Sequence, residues 1–311
     1  MSHTLLATRR FAPLFWCQFL SALNDNFLKN ALVILILYKI GSEQGGALVT
    51  LAGATLVAPF FLLSAIGGQL ADKHDKAVMA EWLKRWEIPV ALVSAIGFLM
   101  HSVPLLFLAL AGFGCIGALF GPIKYGILPE QLEVRELPAG NALVEGATFF
   151  AILLGTIAGG LAVGENGSEW LVSASVVGLA VLCWLSAGLM PKGKAAAPDI
   201  TVDMNPATST MTLLSALKTD RRVWQGAVIT SWFWLVGAVV LFSLTMLTEA
   251  RTKTPMRVAS ALASNRAALA ESARRNAEVL QAMGFGSRIR ERWSAVNLQH
   301  LNAMAHASDT A

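Results

Sequence analysis

The stretch FAPLFWCQFLSALNDNFLKNALVILILY, residues 11–38, is long and apolar enough to cross a bilayer, yet Asn24, Asp25, Asn26 and Lys29 fall at its middle. About 20 apolar residues span the hydrocarbon core, and a charge placed there costs roughly 2.5–3.5 kcal/mol on insertion scales. On a helix, Asp25 and Lys29 stand four apart, share a face and are placed to neutralise each other. Gln18 and Ser21 extend that stripe, and Asn26 and Asn30 form a second one beside it. Two readings stay open: a satisfied polar seam that locks helix to helix, or the lining of a water- or substrate-filled cavity.

The rest of the chain agrees that the solvent is lipid. It has 311 residues, 55% of them hydrophobic and 14% charged, with a mean hydropathy of +0.58. Soluble domains carry about 25% charged residues, so the composition is that of an all-α integral membrane protein. Charge is unevenly spread. Residues 1–250 hold 15 Lys+Arg against 16 Asp+Glu, and residues 251–311 hold 9 against 4. Cys17, Cys115 and Cys183 are scattered within apolar spans, which excludes a disulfide framework or a metal centre and leaves them as packing residues. No cofactor motif is present.

Seven stretches reach spanning length: roughly 12–39, 47–70, 84–101, 104–128, 141–163, 168–190 and 223–248. Arg9, Arg10, Lys73, Lys76, Lys84, Arg85, Lys124, Arg135, Lys192, Lys194, Lys218, Arg221 and Arg222 fall on one side of this pattern, whereas the turns GSEQGG, HSVP and GENGSE carry no Lys or Arg. The positive-inside rule places the N-terminus in the cytoplasm. Seven spans would then put the basic tail outside, against the same rule.

Further polar positions recur in the spans. Asn141, Glu145 and Thr148 stand at helical spacing in the fifth, and Lys124 and Tyr125 near the end of the fourth. Lys124 either snorkels to the interface or joins a cavity. Gly117 with Gly121, and Gly155 with Gly159, form G-x-x-x-G pairs of the kind that let helices approach closely.

The loop after the second span reads GGQLADKHDK, residues 67–76. It resembles the G-x-L-a-D-[RK]-x-G-[RK] loop of major facilitator transporters through Gly68, Leu70, Ala71, Asp72, Lys73 and Lys76, with Asp75 in place of the second glycine. Asp72 is placed to cap a helix end and pair with a cation, latching helices in one conformation. A longer resemblance covers residues 10 to about 240, in RFAPLFWCQFLSALNDNFLKNALVILILY, ALFGPIKYGILPEQL, NALVEGATFFAILLGTIAGG, RRVWQ and SWFWLVGA. These strings look like bacterial lysophospholipid transporters, which occur alone or fused to an acyltransferase and an acyl-carrier-protein synthetase. The resemblance implies flipping of lysophospholipid, chiefly lysophosphatidylethanolamine, across the bacterial inner membrane. It also implies a polar substrate cavity contributed to by Asn24, Asp25, Asn26, Lys29 and Glu145, and a separate acyltransferase as partner. No His has an Asp five residues on, and no phosphate-binding G-x-x-x-x-G-K-[ST] occurs, so no enzymatic chemistry is visible.

The expected organisation is a six-helix N-terminal facilitator half at 1–190, a cytoplasmic central loop at 191–222, a seventh transmembrane helix at 223–248 and a polar helical tail at 249–311. Facilitators pair two six-helix halves around the site, so one half is expected to be inactive or to work as a homodimer. In the tail, Val258, Leu262, Leu269, Ala273, Leu280 and Met283 recur at near-helical spacing, Gly284 and Gly286 interrupt, and Ile289, Trp293 and Val296 resume. The pattern alone suits an amphipathic helical pair or a soluble regulatory helix. ASNRAALAESARRNAEVLQAMGF, residues 263–285, also resembles the membrane domain of type I secretion ABC exporters, which implies a fusion of two transporters' pieces. The alternatives to lysophospholipid flipping are therefore an exporter membrane subunit with a separate ATPase, or a facilitator for another amphipathic solute. Nucleic acid is not among the expected partners.

Overall fold

The computed structural model describes residues 5–36, 45–163, 168–275 and 286–309. The turns at 37–44 and 164–167, Lys39 among them, lie outside the described residues, as do Leu280, Met283 and Gly284 and the side chains of Val258, Leu269, Ala273 and Ile289. The described chain is helical. Two compact units divide it, residues 1–216 and 217–311.

The first unit is a bundle of six long helices: α1 (Ala12–Ile34), α2 (Gly45–Lys73), α3 (Lys76–Leu99), α4 (Val103–Gln131), α5 (Leu137–Val163) and α6 (Glu169–Gly188). Four of them, α2 from Ala47 and the whole of α4, α5 and α6, are long and apolar enough to cross a membrane. Helices α1 and α3 match them in length but fall short in composition. Asp25 and Lys29 interrupt α1, and Lys76, Glu81, Lys84, Arg85 and Glu87 interrupt α3. The third span is therefore longer at its start than the apolar stretch 84–101, because α3 begins at Lys76.

Local signals place the helix ends. Pro13 and Pro104 occupy the first turns of α1 and α4, where a missing N–H leaves no bond unmade. Asp75 caps α3, its carboxylate accepting from the Ala77 and Val78 N–H groups at 2.8 and 3.3 Å. His101 closes the α3–α4 turn at a φ of 52°, a left-handed position usually given to glycine.

Within the bundle α1 packs chiefly on α5 and also on α6, α2 on α4, and α3 on α4 and α6. The α1–α5 contact is a backbone one. A Cβ at Gly155 would lie 2.4 Å from the Leu23 carbonyl oxygen, and one at Gly159 2.3 Å from that of Phe27. The α2–α4 approach uses other glycines: a Cβ at Gly114 would meet the Leu56 oxygen at 2.6 Å, and one at Gly67 the Leu119 Cα at 3.1 Å. Gly117 faces the Phe60 ring at 3.2 Å and Asp25 Oδ2 at 3.9 Å, and Gly121 has nothing within 4 Å. Outward faces carry Phe61, Leu108, Phe150 and Leu161, as lipid-facing surfaces do. Exposed Trp16, Trp82 and Trp86 gather towards one end of the bundle and Trp170 at the other, the arrangement of interfacial aromatic belts.

One end of the bundle is tied by polar contacts. Lys76 Nζ lies 2.6 Å from Glu130 and 3.9 Å from Asp72, its stem passing where a Cβ on Gly126 would sit 2.8 Å away. Arg10 pairs with Glu136 at 2.7 Å. The Glu133 N–H and the Arg10 guanidinium hold the Glu136 carboxyl below its usual range. Residues after α6 dock onto this same end. Ala197 N–H donates to the Asp72 carbonyl at 2.7 Å, and Gln131 donates to the Pro191 carbonyl at 3.2 Å. Gln69 donates to Ser209 at 2.6 Å and accepts from the Asp203 N–H. The segment taken from sequence as a central loop at 191–222 thus contains a helix, α7 (Pro206–Thr219), and its part up to residue 216 belongs to the bundle.

In the second unit α8 (Arg221–Arg275) runs unbroken through residue 248, where the sequence suggested that a span ends and a tail begins. It packs against α9 (Gly286–Asp309), with Arg266 donating to Asn297 at 3.0 Å. Of the glycines expected to interrupt the tail, Gly286 begins α9, and Gly284 lies outside the described residues.

Substituting Gly159 by Leu forces α1 and α5 apart at the Phe27 backbone and should cost about 1–3 kcal/mol or more. A melting midpoint in detergent lowered by several degrees is expected, whereas Gly160→Leu, which meets nothing within 4 Å, should melt like the parent. Equal midpoints for both variants would refute the close α1–α5 contact.

Candidate functional site

The polar stripe of α1 is divided among three neighbours. Gln18 Nε2 donates to Thr148 Oγ1 of α5 at 2.9 Å, and Asn24 Nδ2 to the Val176 carbonyl of α6 at 3.1 Å. Asn26 Nδ2 returns to its own helix at the Ala22 carbonyl, 2.9 Å away. Asn30 Nδ2 reaches the Asn26 carbonyl at 2.8 Å and Thr156 of α5 at 3.1 Å. Both Asn24 and Asn26 are buried, and Asn24 ties α1 to α6, whereas Asn26 bonds only within α1.

Lys29 and Asp25 do not pair, contrary to the expectation from their spacing. Lys29 Nζ donates to Asn26 Oδ1 at 3.0 Å, the neighbour three residues back. Asp25 has no hydrogen bond or ion pair among the described residues. Its Oδ2 lies beside α4, 3.9 Å from where a Cβ on Gly117 would stand. Glu145 of α5 accepts a hydrogen bond from the Tyr125 hydroxyl of α4. Lys124 Nζ sits 4.7 Å from the Tyr125 ring centre, in a cation–π contact, and within electrostatic range of both Glu145 and Asp25. Lys124 of α4 is thus within electrostatic range of carboxylates on α1 and α5, the second of which also accepts from the Tyr125 phenol. Asn24, Asn26 and Lys29 are engaged elsewhere.

The loop residues are placed differently from a simple Asp72 cap. Asp75, the residue in the second glycine's position, is the side chain that caps α3. Asp72 offers its carbonyl to Ala197 and its carboxylate, loosely, to Lys76. Gly68 meets nothing within 4 Å, and Leu70 and Lys73 complete the last turns of α2.

Sequence reasoning missed the most buried charges of the molecule. Lys84, taken as a cytoplasmic loop residue, and Glu87 are 0% and 1% exposed and pair at 2.5 Å. Lys84 Nζ also donates to Ser21 of α1 at 2.6 Å and lies 4.6 Å from the Phe120 ring centre of α4. Glu87 Oε1 and Asn24 Oδ1 are buried with no partner. The signal was present: Ala77, Ala80, Lys84, Glu87, Ala91, Ser94 and Phe98, all buried, recur every three or four residues along α3. Removing one partner of such a pair typically costs about 3–5 kcal/mol, while replacing both by apolar residues is often neutral.

The Major Facilitator Superfamily profile matches residues 14–268, so the compositional break near residue 250 lies inside the matched region. Among curated proteins, the chain is 30% identical over 247 residues to the lysophospholipid transporter LplT of Serratia proteamaculans. It is 30% identical over 249 residues to that of Cronobacter sakazakii and 31% over 243 residues to that of Yersinia enterocolitica. Each alignment covers 78% of this chain and 57–58% of the relative, so the chain spans rather less than two thirds of their length. No solved structure matches it. With a profile match over most of its length and a bundle of membrane-length helices, the chain belongs to the Major Facilitator Superfamily as a multi-pass membrane protein.

Proposed function

We propose that this protein moves lysophospholipid, lysophosphatidylethanolamine foremost, across the bacterial inner membrane, with its N-terminus in the cytoplasm. The observation that carries this reading is the unpartnered Asp25 carboxylate facing Lys124 and the Tyr125–Glu145 pair. A zwitterionic headgroup has an ammonium for the carboxylate and a phosphate for the lysine, and charges inside membrane segments mark substrate paths. The similarity to transporters named for lysophospholipid supports the same substrate class. At the tied end, Lys76 with Glu130 and Asp72 forms the latch that the loop motif suggests. A separate acyltransferase would consume the delivered lipid, and a second copy of the chain would supply a further wall to the cavity.

For the tail, the likeness of residues 263–285 to type I secretion exporters and the shift to basic composition support a joined segment of exporter origin. An independent DNA read across codons 235–260 tests this, and a reading frame that continues into further facilitator helices there would remove it.

Labelled lysophosphatidylethanolamine should enter vesicles bearing the parent chain faster than empty vesicles. Asp25→Asn should reduce that uptake by about tenfold or more, the scale of one lost charge-assisted contact, and Glu145→Gln should reduce it less. Parent uptake no greater than that of empty membranes, or an unaltered Asp25→Asn rate, would remove this assignment.

A further inference from the structure

We propose that Glu87 is a positioning residue that keeps Asp25 free: by holding Lys84, it prevents that lysine from neutralising the carboxylate meant for a cationic substrate group. The inference rests on the reading of Asp25 as the headgroup carboxylate. Lys84 and Glu87 of α3 pair beside Ser21 of α1 and Phe120 of α4, and both act electrostatically on Asp25 of α1. Lys84 thus lies between its bonded partner Glu87 and the unbonded Asp25, on which Lys29 and Lys124 act as well.

The geometry shows how close the competition is. Lys84 Nζ already touches α1, 2.6 Å from Ser21 Oγ. Ser21 and Asp25 share a face one turn apart, about 6 Å along the axis. Side chains on a helix lean towards its N-terminus, which tips the Asp25 carboxylate back towards Ser21. A lysine carries its charge on a flexible four-carbon stem, and both Glu87 and Lys84 act electrostatically on Asp25.

Glu87 wins the lysine by position. It stands three residues along the same helix, at 2.5 Å, and it is 1% exposed. Its second oxygen has no partner, so Lys84 is its only hydrogen-bond donor among the described residues. The remaining cations near Asp25 are engaged as well, Lys29 with Asn26 and Lys124 with the Tyr125 ring, and Glu145 is bonded to Tyr125. Of these three carboxylates, Asp25 is the one without a hydrogen bond or ion pair among the described residues, which leaves it for an ammonium group.

A purely structural pair predicts a different outcome from a competition for Lys84, and variants of the full chain in lipid vesicles separate the two. A membrane-permeant carbodiimide joins an ammonium to a neighbouring carboxylate. Peptide mass analysis should find Lys84 joined to Glu87 in the parent and Lys84 joined to Asp25 in Glu87→Gln. Per folded protein, Glu87→Gln should raise the KM for lysophosphatidylethanolamine by at least about tenfold with little change in kcat, the pattern of lost binding. The double variant Lys84→Met with Glu87→Gln, which removes the competing cation, should return KM to within about threefold of the parent. No transfer of the cross-link to Asp25, or a double variant as impaired as the single one, would overturn the inference. A parent without uptake whose cross-link still transfers would instead refute the substrate assignment and leave the competition standing.

Discussion

A lysine and a glutamate with no access to solvent, Lys84 and Glu87, impose the constraint around which the bundle interior is arranged. Each ion alone would be prohibitive in an apolar interior, and together they still need further hydrogen bonds to offset desolvation. The ammonium finds these at Ser21 and at the Phe120 ring, so one side chain links α3 to α1 and α4. The apolar alternation of the rest of α3 follows from this. Ala77, Ala80 and Ala91 are small, which lets α3 come near enough to α4 and α6 for the pair to be sealed.

The same rule, that polar groups at depth must find partners, explains the arrangement of α1. Its amides are short and donate to whatever backbone passes closest, Val176 for Asn24 and Ala22 for Asn26, while Asn24 Oδ1 stays without a partner. Backbone proximity is supplied on one side by Gly155 and Gly159. The opposite end of the bundle is stabilised by longer reach. Lys76 passes Gly126 to Glu130, and the segment after α6 folds back onto Gln69, Asp72 and Gln131. Such contacts hold the ends of α2, α3 and α4 in register without filling the centre.

The helical class, the polar interruption in α1 and the close approach at Gly155 and Gly159 were all legible in the sequence, because each depends on spacing along one helix. Partner choice was not. Asp25 and Lys29 have the right separation to pair, yet Lys29 finds an amide one residue nearer. Lys84 was misread because counting lysines near span ends treats every early lysine as a loop residue, while the stripe that buries it only becomes evident once α3 is known to begin at Lys76. Asp75 looked like a departure from the loop motif. It is the cap that makes the following helix start where it does. The change of composition near residue 250 was read as the end of a span followed by a helical tail, and α8 runs through that point as one helix, because hydrogen bonding along the backbone is indifferent to side-chain polarity.

Two identical spacings with opposite outcomes account for the contrast between the amides of α1 and its carboxylate. Gly155 and Gly159 on α5 are pressed against the backbone of α1, so the space that their missing side chains leave is filled and the asparagines nearby find partners. On α4, Gly117 is met by the edge of the Phe60 ring at 3.2 Å and by the Asp25 carboxylate, whereas Gly121 has nothing within 4 Å. The Asp25 carboxylate lies beside Gly117, 3.9 Å from where a Cβ there would stand. A G-x-x-x-G pattern therefore specifies only where room is left. Whether the room becomes a seam or a cavity depends on what the facing helix can place there, and on α1 that helix offers a charge.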